Sequence, residues 1–316
     1  MLGLKEVNMA NNKYGIFFSY LKLLKSNSDT TSNPIESNNG INITINPENT
    51  NYQGNQRVRL FYGNSVSANS VKVSINKKNQ KEVPLESTNN LSSVDIENNG
   101  IIRNVDYKFG SSPNPVDIYG ISIESPIGIY ADNIPLRGSS GYGFTQNNSE
   151  LLKQFLNTLN VKLIIMQFGV NGVPENDNTI IPDYSYYEKA FYKQLITLKK
   201  IKNDLSIIVI GVSDRSRKKG EGYETNPNIY NIRKAQRNAA FKAGCAYWDL
   251  FEAMGGENSM PSWVFANPAL ANKDFTHFND KGARLVAEMF YNSLILEYHK
   301  YIDKRRKIIL SNNLIQ

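Results

Sequence analysis

The chain has 316 residues, 40% of them hydrophobic and 21% charged, which is enough for one large domain or two smaller ones, each with its own core. The formal net charge of +7 is partly local, in the runs Arg215–Lys219 and Lys304–Lys307, and reads as solvated surface; nucleic acid is not an expected partner, although a basic polyanion-binding protein stays an alternative. One cysteine excludes an internal disulfide, two histidines beside it make a zinc site improbable, and no apolar stretch is long enough to span a bilayer.

Residues 1–36 form a short lead with an apolar patch at Tyr14–Leu24 and a polar Ser/Asn/Thr tail. Its first twenty residues include Lys5, Glu6 and several Asn, so no signal peptide is visible in the printed chain. From 37 to 124 the pattern is strand-like. Ile41, Ile43 and Ile45 alternate with polar residues, as do Val58, Leu60 and Tyr62, and Val71, Val73 and Ile75. Short alternating strands punctuated by Asn-Gly and Asn-Asn pairs predict an antiparallel β-sandwich. Its aromatic residues Tyr52, Phe61, Tyr62, Tyr107 and Phe109 either stack on sugars or fill the core and ordinary surface.

Over 125–316 strands alternate with helices. Ile127–Leu136 reads as a strand, and Ser149 caps a helix whose Leu151, Leu152, Phe155, Leu156 and Leu159 share a face. Val161–Phe168 is nearly all apolar, as in a strand buried on both faces. Ser185 with Glu188 suggests a capping box ahead of Phe191, Leu195 and Leu198. Leu205–Val212 is a second buried strand, Ile232–Ala243 a helix, and Ala246–Leu250 a third strand. Cys245 lies in the apolar run Ala243–Trp248 and reads as a buried structural thiol. Asn279 or Asp280 opens a final helix with Val286, Phe290 and Leu294 on one side. Such alternation implies an α/β domain with a mainly parallel sheet, whose chemistry collects after the strand carboxyl ends.

Three loops there carry reactive groups. Asp274-Phe275-Thr276-His277 offers an imidazole as general base, with a carboxylate three residues earlier to fix its tautomer. Gly169-Val170-Asn171-Gly172 offers a side-chain amide to a developing oxyanion, and Gly138, in Arg137-Gly138-Ser139-Ser140-Gly141, offers a backbone N–H. Each alone is also what an ordinary polar turn looks like. His299 sits in the charged run Glu297–Lys300 and reads as surface. No cofactor is expected, and the abundant carboxylates leave a calcium site open.

Taken in order, a glycine block, Gly-x-Asn after a buried strand and Asp-x-x-His before the last helix resemble the SGNH (GDSL-type) esterases. Ile208–Arg215 (IVIGVSDR), Ala243–Gly256 (AGCAYWDLFEAMGG), Ser259–Trp263 (SMPSW) and Lys273–Gly282 (KDFTHFNDKG) look like a bacterial branch acting on O-acetylated carbohydrate or peptidoglycan. The resemblance covers about Tyr119–Tyr301. It implies a doubly wound parallel sheet of order 2-1-3-4-5 with an inserted β-sandwich, no metal, and an acetylated glycan or other small ester as substrate. It also implies export to the periplasm or cell surface. His277 would be the base, Asp274 its orienting partner, and Gly138 and Asn171 the oxyanion donors.

The family's nucleophile lies in a Gly-Asp-Ser block on the first strand, and this sequence contains none. Ser19 has no glycine beside it, and Ser139 and Ser140 occupy the glycine block. With Ile127–Leu136, Val161–Phe168, Leu205–Val212 and Ala246–Leu250 as strands 2 to 5, the interior first strand is missing. Each buried backbone group left unpaired there costs about 1–3 kcal/mol. The expectation is a truncated reading of a longer secreted esterase, with 1–36 a remnant of its catalytic domain. An O-acetyltransferase and a catalytically inactive glycan-binding protein are the alternatives; the oligomeric state stays open.

Overall fold

The computed structural model describes residues 21–22, 41–47, 54–63, 65, 69–86, 90–110, 116–134, 136, 138–174, 176 and 179–313. Two units separate: Met1–Pro135 with Gln146–Val161, and Leu136–Thr145 with Lys162–Gln316.

The first unit is built from β1 (Leu21–Lys22), β2 (Ile41–Ile45), β3 (Asn55–Gly63), β4 (Ser70–Ile75), β5 (Lys78–Pro84), β6 (Ser92–Asn99), β7 (Val105–Phe109) and β8 (Asp117–Glu124). They form two four-stranded antiparallel sheets, β1-β8-β3-β6 and β2-β7-β4-β5. Period-two alternation sends Val58, Leu60 and Tyr62 of β3 into one core with Val71, Val73, Val105 and Tyr107 of the other sheet. Phe61, Tyr62, Tyr107 and Phe109 are all buried, so these four rings are not sugar platforms: apolar burial takes each of them out of reach of a ligand. Tyr52 lies outside the described residues.

The opposite face of β3 is covered too. Helix α1 (Ser149–Thr158) sets Phe155 against Phe61 and Tyr119, with ring centroids 5.7 and 5.5 Å apart. Its cap is Asn148, not Ser149. The Asn148 Oδ1 accepts from the N–H groups of Glu150 and Leu151, each at 3.0 Å, satisfying two donors the helix leaves open. Between β8 and α1 no strand forms over the described residues of 127–136. Ile127 and Ile129 are fully or almost fully exposed. Apolar side chains alone do not make a strand; its N–H and C=O groups need a neighbour, and here none of the described strands pairs with this stretch.

The second unit holds β9 (Leu163–Gln167), helix α2 (Ser185–Ile201), β10 (Ser206–Ile210), the hairpin β11 (Ser216–Lys219) and β12 (Gly222–Thr225), helix α3 (Asn228–Lys242), β13 (Ala246–Trp248), and helices α4 (Leu250–Ala253), α5 (Met260–Val264) and α6 (Asp280–Asn313). The parallel order is β13-β10-β9. β10 is central and well buried, but β9 is not buried on both faces as its composition suggests: Leu163 is 40% and Ile165 47% exposed, while Met166 is 1%. One long side of β9 has no partner strand among the described residues.

Two local features differ from their sequence signals, and two others match them. The Ser185–Glu188 box does not close. Ser185 N and Oγ both donate to the Asp183 carboxylate at 2.8 Å, and Glu188 instead accepts from Asn238 of α3. The basic run at 215–219 is half of a hairpin in which Arg217 and Lys219 both pair with Glu224. That cross-strand pairing, rather than free solvation, holds the run extended. Cys245 is buried, and burial pushes its thiol pKa up. Asn279 does open α6, accepting from Lys281 and Gly282 N–H at 3.0 Å. No described helix is long and apolar enough to cross a membrane.

Candidate active site

The loop after β9 turns at Gly169, whose φ of +118° suits glycine. A Cβ there would sit 2.5 Å from Gln236 Nε2 and 2.6 Å from Val212 Cγ1. A single turn of 3-10 helix, Val170–Gly172, follows and carries Asn171 outward. The Asn171 Nδ2 donates to the Ser139 carbonyl at 3.3 Å, so the glycine block and the Gly-x-Asn turn are brought together. One N–H of that amide is thereby directed, and the other is left for a ligand.

Behind these turns lies a buried amide that the sequence reading missed. Gln236 of α3 donates to the Phe168 carbonyl at 2.7 Å and accepts from Val212 N–H at 3.0 Å, clamping the ends of β9 and β10. It also donates to Tyr187 Oη at 3.3 Å, and Tyr187 donates to the Ser140 carbonyl at 3.0 Å. Tyr184, one helical turn earlier on the same face, donates to the Gly172 carbonyl at 3.2 Å. Burial raises both phenol pKa values, so both stay neutral donors around pH 7. The only sequence signal was a Tyr pair at i, i+3 opening α2.

The Asp274–His277 turn is held by one carboxylate. Asp274 Oδ1 accepts from Thr276 N–H at 2.9 Å and His277 N–H at 3.0 Å, and Oδ2 meets His277 Nδ1 at 2.8 Å. Burial disfavours the Asp274 charge, but the His277 backbone N–H, the His277 ring and the Thr276 N–H outweigh it, and the carboxyl lies below its ordinary range. With Nδ1 occupied by a carboxylate, the Nε2 edge is the one available for chemistry, and the side chain is 66% exposed.

Phe275 anchors this turn from below. It has a φ of +55°, is buried, and stacks on Tyr223 of β12 with centroids 3.8 Å apart. Its carbonyl accepts from Ser216 N–H at 3.0 Å. Asp214, fully buried, accepts from Thr225 Oγ1 and Met260 N–H, each at 2.8 Å, tying the hairpin to α5. Arg215, between Asp214 and Ser216, carries a charge that acts on the Tyr184 hydroxyl and lowers its pKa against burial.

The serines nearest these groups are engaged otherwise. Ser139 Oγ accepts from Gly141 N–H at 3.1 Å and donates to the Tyr142 carbonyl at 3.3 Å, closing its own turn. Among the described residues no hydroxyl is bonded to His277 Nε2. Ser19 and Arg137 lie outside the described residues. His299 is exposed on α6. No group of three His, Cys, Asp or Glu among the described residues is placed to hold a metal.

No protein-family model and no curated relative matches the sequence. Solved structures do. A peptidoglycan O-acetylesterase aligns over 91% of this chain and 73% of its own length, with TM-score 0.69 and 21% identity. More distant likenesses include an acetyl xylan esterase (TM-score 0.34, 19% identity, 45% of this chain and 71% of the other). Another is a family two carbohydrate esterase from Clostridium thermocellum (TM-score 0.31, 12% identity, 83% and 93%). The parallel sheet, the antiparallel sheets and the first of these alignments together give this chain a mixed α/β fold similar to that of the peptidoglycan O-acetylesterase.

Proposed function

We propose that this chain carries the base and oxyanion-binding parts of a serine esterase acting on O-acetyl esters of cell-envelope carbohydrate, in the periplasm or at the cell surface. The observation that carries the reading is the Asp274–His277 turn, in which one carboxylate holds both the backbone and Nδ1 of an exposed imidazole. The Asn171 amide on the Ser139 carbonyl is its second support.

In the reaction, a serine hydroxyl gives its proton to His277 Nε2 as its oxygen attacks the acetyl carbonyl. Asp274 fixes the tautomer and stabilises the imidazolium that forms. The oxyanion accepts from the Asn171 amide and the Gly138 N–H. The sugar hydroxyl leaves with the proton from His277, and water then releases acetate by the same steps in reverse. The β-sandwich of 37–124 would be an insertion in the catalytic domain, which continues over 125–316 and includes 1–36.

The nucleophile is the missing part. We assign it to a Gly-Asp-Ser segment encoded upstream of Met1, which pairs with the open side of β9. The absence of a described partner strand along that side of β9 supports the placement. Reading the DNA 5′ of the Met1 codon and expressing the extended frame tests it. The extended protein should hydrolyse p-nitrophenyl acetate and release acetate from O-acetylated peptidoglycan, whereas the printed chain alone should be silent. An upstream region without such a block sinks the nucleophile assignment. If the extended protein binds O-acetylated glycan without turnover, the inactive glycan-binding alternative replaces the esterase; transfer of acetyl to a sugar instead of water makes it a transferase.

A further inference from the structure

Helix α6 runs for 34 residues, about 50 Å at 1.5 Å per residue. Its first turns belong to the core of the second unit: Val286 is buried, and Phe290 meets Trp248 with ring centroids 5.3 Å apart. The Trp248 indole N–H donates to Ser293 Oγ at 3.1 Å. Beyond that point the apolar residues continue, but the packing does not. Tyr291, Leu294, Tyr298, Tyr301 and Ile309 are each between 38% and 61% exposed. At about 100° per residue these five, with the half-buried Ile302, fall in one stripe about 100° wide.

The charges are arranged around that stripe. Five basic side chains (Lys300, Lys304, Arg305, Arg306 and Lys307) stand against two acidic ones between Glu297 and Lys307. Both acids are already used, Glu297 by Lys300 at 2.7 Å and Asp303 by Arg306 at 3.8 Å. Lys304 and Arg306 flank the stripe, about 60° and 40° beyond its two edges, whereas Lys300 and Lys307 fall opposite it. Arg305, which interrupts it, lays its guanidinium 5.8 Å from the Tyr301 ring centroid, the posture of a cation whose stem can lie along an apolar surface while its head stays wet.

We propose that the C-terminal half of α6 is an amphipathic foot that rests in the headgroup layer of an anionic lipid surface. A tyrosine-rich apolar stripe bordered by lysine and arginine is the composition such interfacial helices use. A second copy of the chain is the poorer occupant, because apposing two stripes would bring their basic borders together. A spanning helix is ruled out by the charges on three sides of it. The proposal does not depend on the esterase reading, since the helix would hold the protein at an envelope membrane whatever its site does.

Flotation of the purified chain with vesicles tests it. Binding should be strong to phosphatidylcholine doped with phosphatidylglycerol, weak to phosphatidylcholine alone, and released by salt. The variant Lys304→Gln/Arg306→Gln should lose about fivefold in affinity per charge removed. The variant Tyr298→Ser/Tyr301→Ser/Ile309→Ser should lose binding even at low salt. All five side chains are solvent-facing, so unchanged circular dichroism and melting temperature are expected in both variants. Equal binding to neutral and anionic vesicles, or none to either, overturns the proposal. So does a concentration-dependent dimer in sedimentation that the tyrosine variant abolishes, which would assign the stripe to a second copy.

Discussion

The β-sandwich and the parallel sheet solve the same burial problem to different degrees. In the sandwich, β3 is covered on both faces, by the facing sheet through Val58, Leu60 and Tyr62 and by α1 through Phe61 and Phe155. In the parallel sheet, β10 has a strand on either side, but among the described residues β9 has one, and half of its apolar side chains meet solvent. An alternating strand needs only one apolar partner layer and can finish its core locally. A continuous apolar strand needs cover on both faces and a neighbour on both edges. Among the described residues, the region that bears the candidate site is therefore the less covered of the two.

The sharpest way to probe that contrast is His277→Ala in the extended protein. It should lower turnover about a thousandfold, within the 10²–10⁴ range for a lost general base, without moving the melting temperature, because the ring is exposed. A large loss of stability would mean that the imidazole is a packing element and not a base.

Phe155→Ala should do the reverse, costing about 3–5 kcal/mol in denaturant unfolding, because the ring is fully buried against Phe61 and Tyr119. A cost near zero would show that α1 is not part of the sandwich core. Gly169→Ala forces a side chain into a positive-φ turn against Gln236 and should cost about 1–3 kcal/mol. It should also shift the Asn171 amide resonances; unshifted resonances would mean the turn is not set by this contact.

The pH response of the histidine turn is smaller. The carboxyl of Asp274 has a lower pKa folded than unfolded, so its contribution is complete above the ordinary carboxylate pKa and disappears as pH falls through the folded value. Amide exchange at Thr276 and His277 should therefore accelerate in acid, below the ordinary Asp range, beyond the intrinsic pH dependence of exchange. Flat protection across that window would remove Asp274 as the organiser of the turn. The smallest effect belongs to the exposed face of β9: Ile165→Thr should change stability by no more than about 0.5 kcal/mol, as for other exposed positions. A core-sized cost would mean that this face of β9 is covered, and the contrast between the two sheets would fall.

Much of this was legible because burial imposes a period. Ile41, Ile43, Ile45 and Val71, Val73, Ile75 announce β2 and β4 because a one-sided core demands every second residue. The loop bearing Asp274 and His277 was readable from residue types and spacing. What failed was whatever depends on distant partners. Ile127–Leu136 has strand composition, yet pairing is decided by a neighbour, and no described strand pairs with the described part of this stretch. Phe61 and Tyr107 are equally good as sugar platforms or core, and only the facing layer decides. The hairpin of Ser216–Thr225 is written in charges, Arg217 opposite Glu224, and resembles a solvated run until it is paired. Gln236 looks like one more polar helix residue, because its partner Phe168 lies 68 positions away.

That glutamine also says something about how such a site can change. Its single carboxamide gauges the distance between the two strand tips and, through Tyr187, the seat of the glycine block. Spacing is thus stored in the interior, not in the rim. Under the proposed esterase reading, residues along the rim are free to be exchanged for others that suit a different sugar while the spacing of the turns is kept, so the choice of glycan and the handling of the ester can evolve on separate schedules.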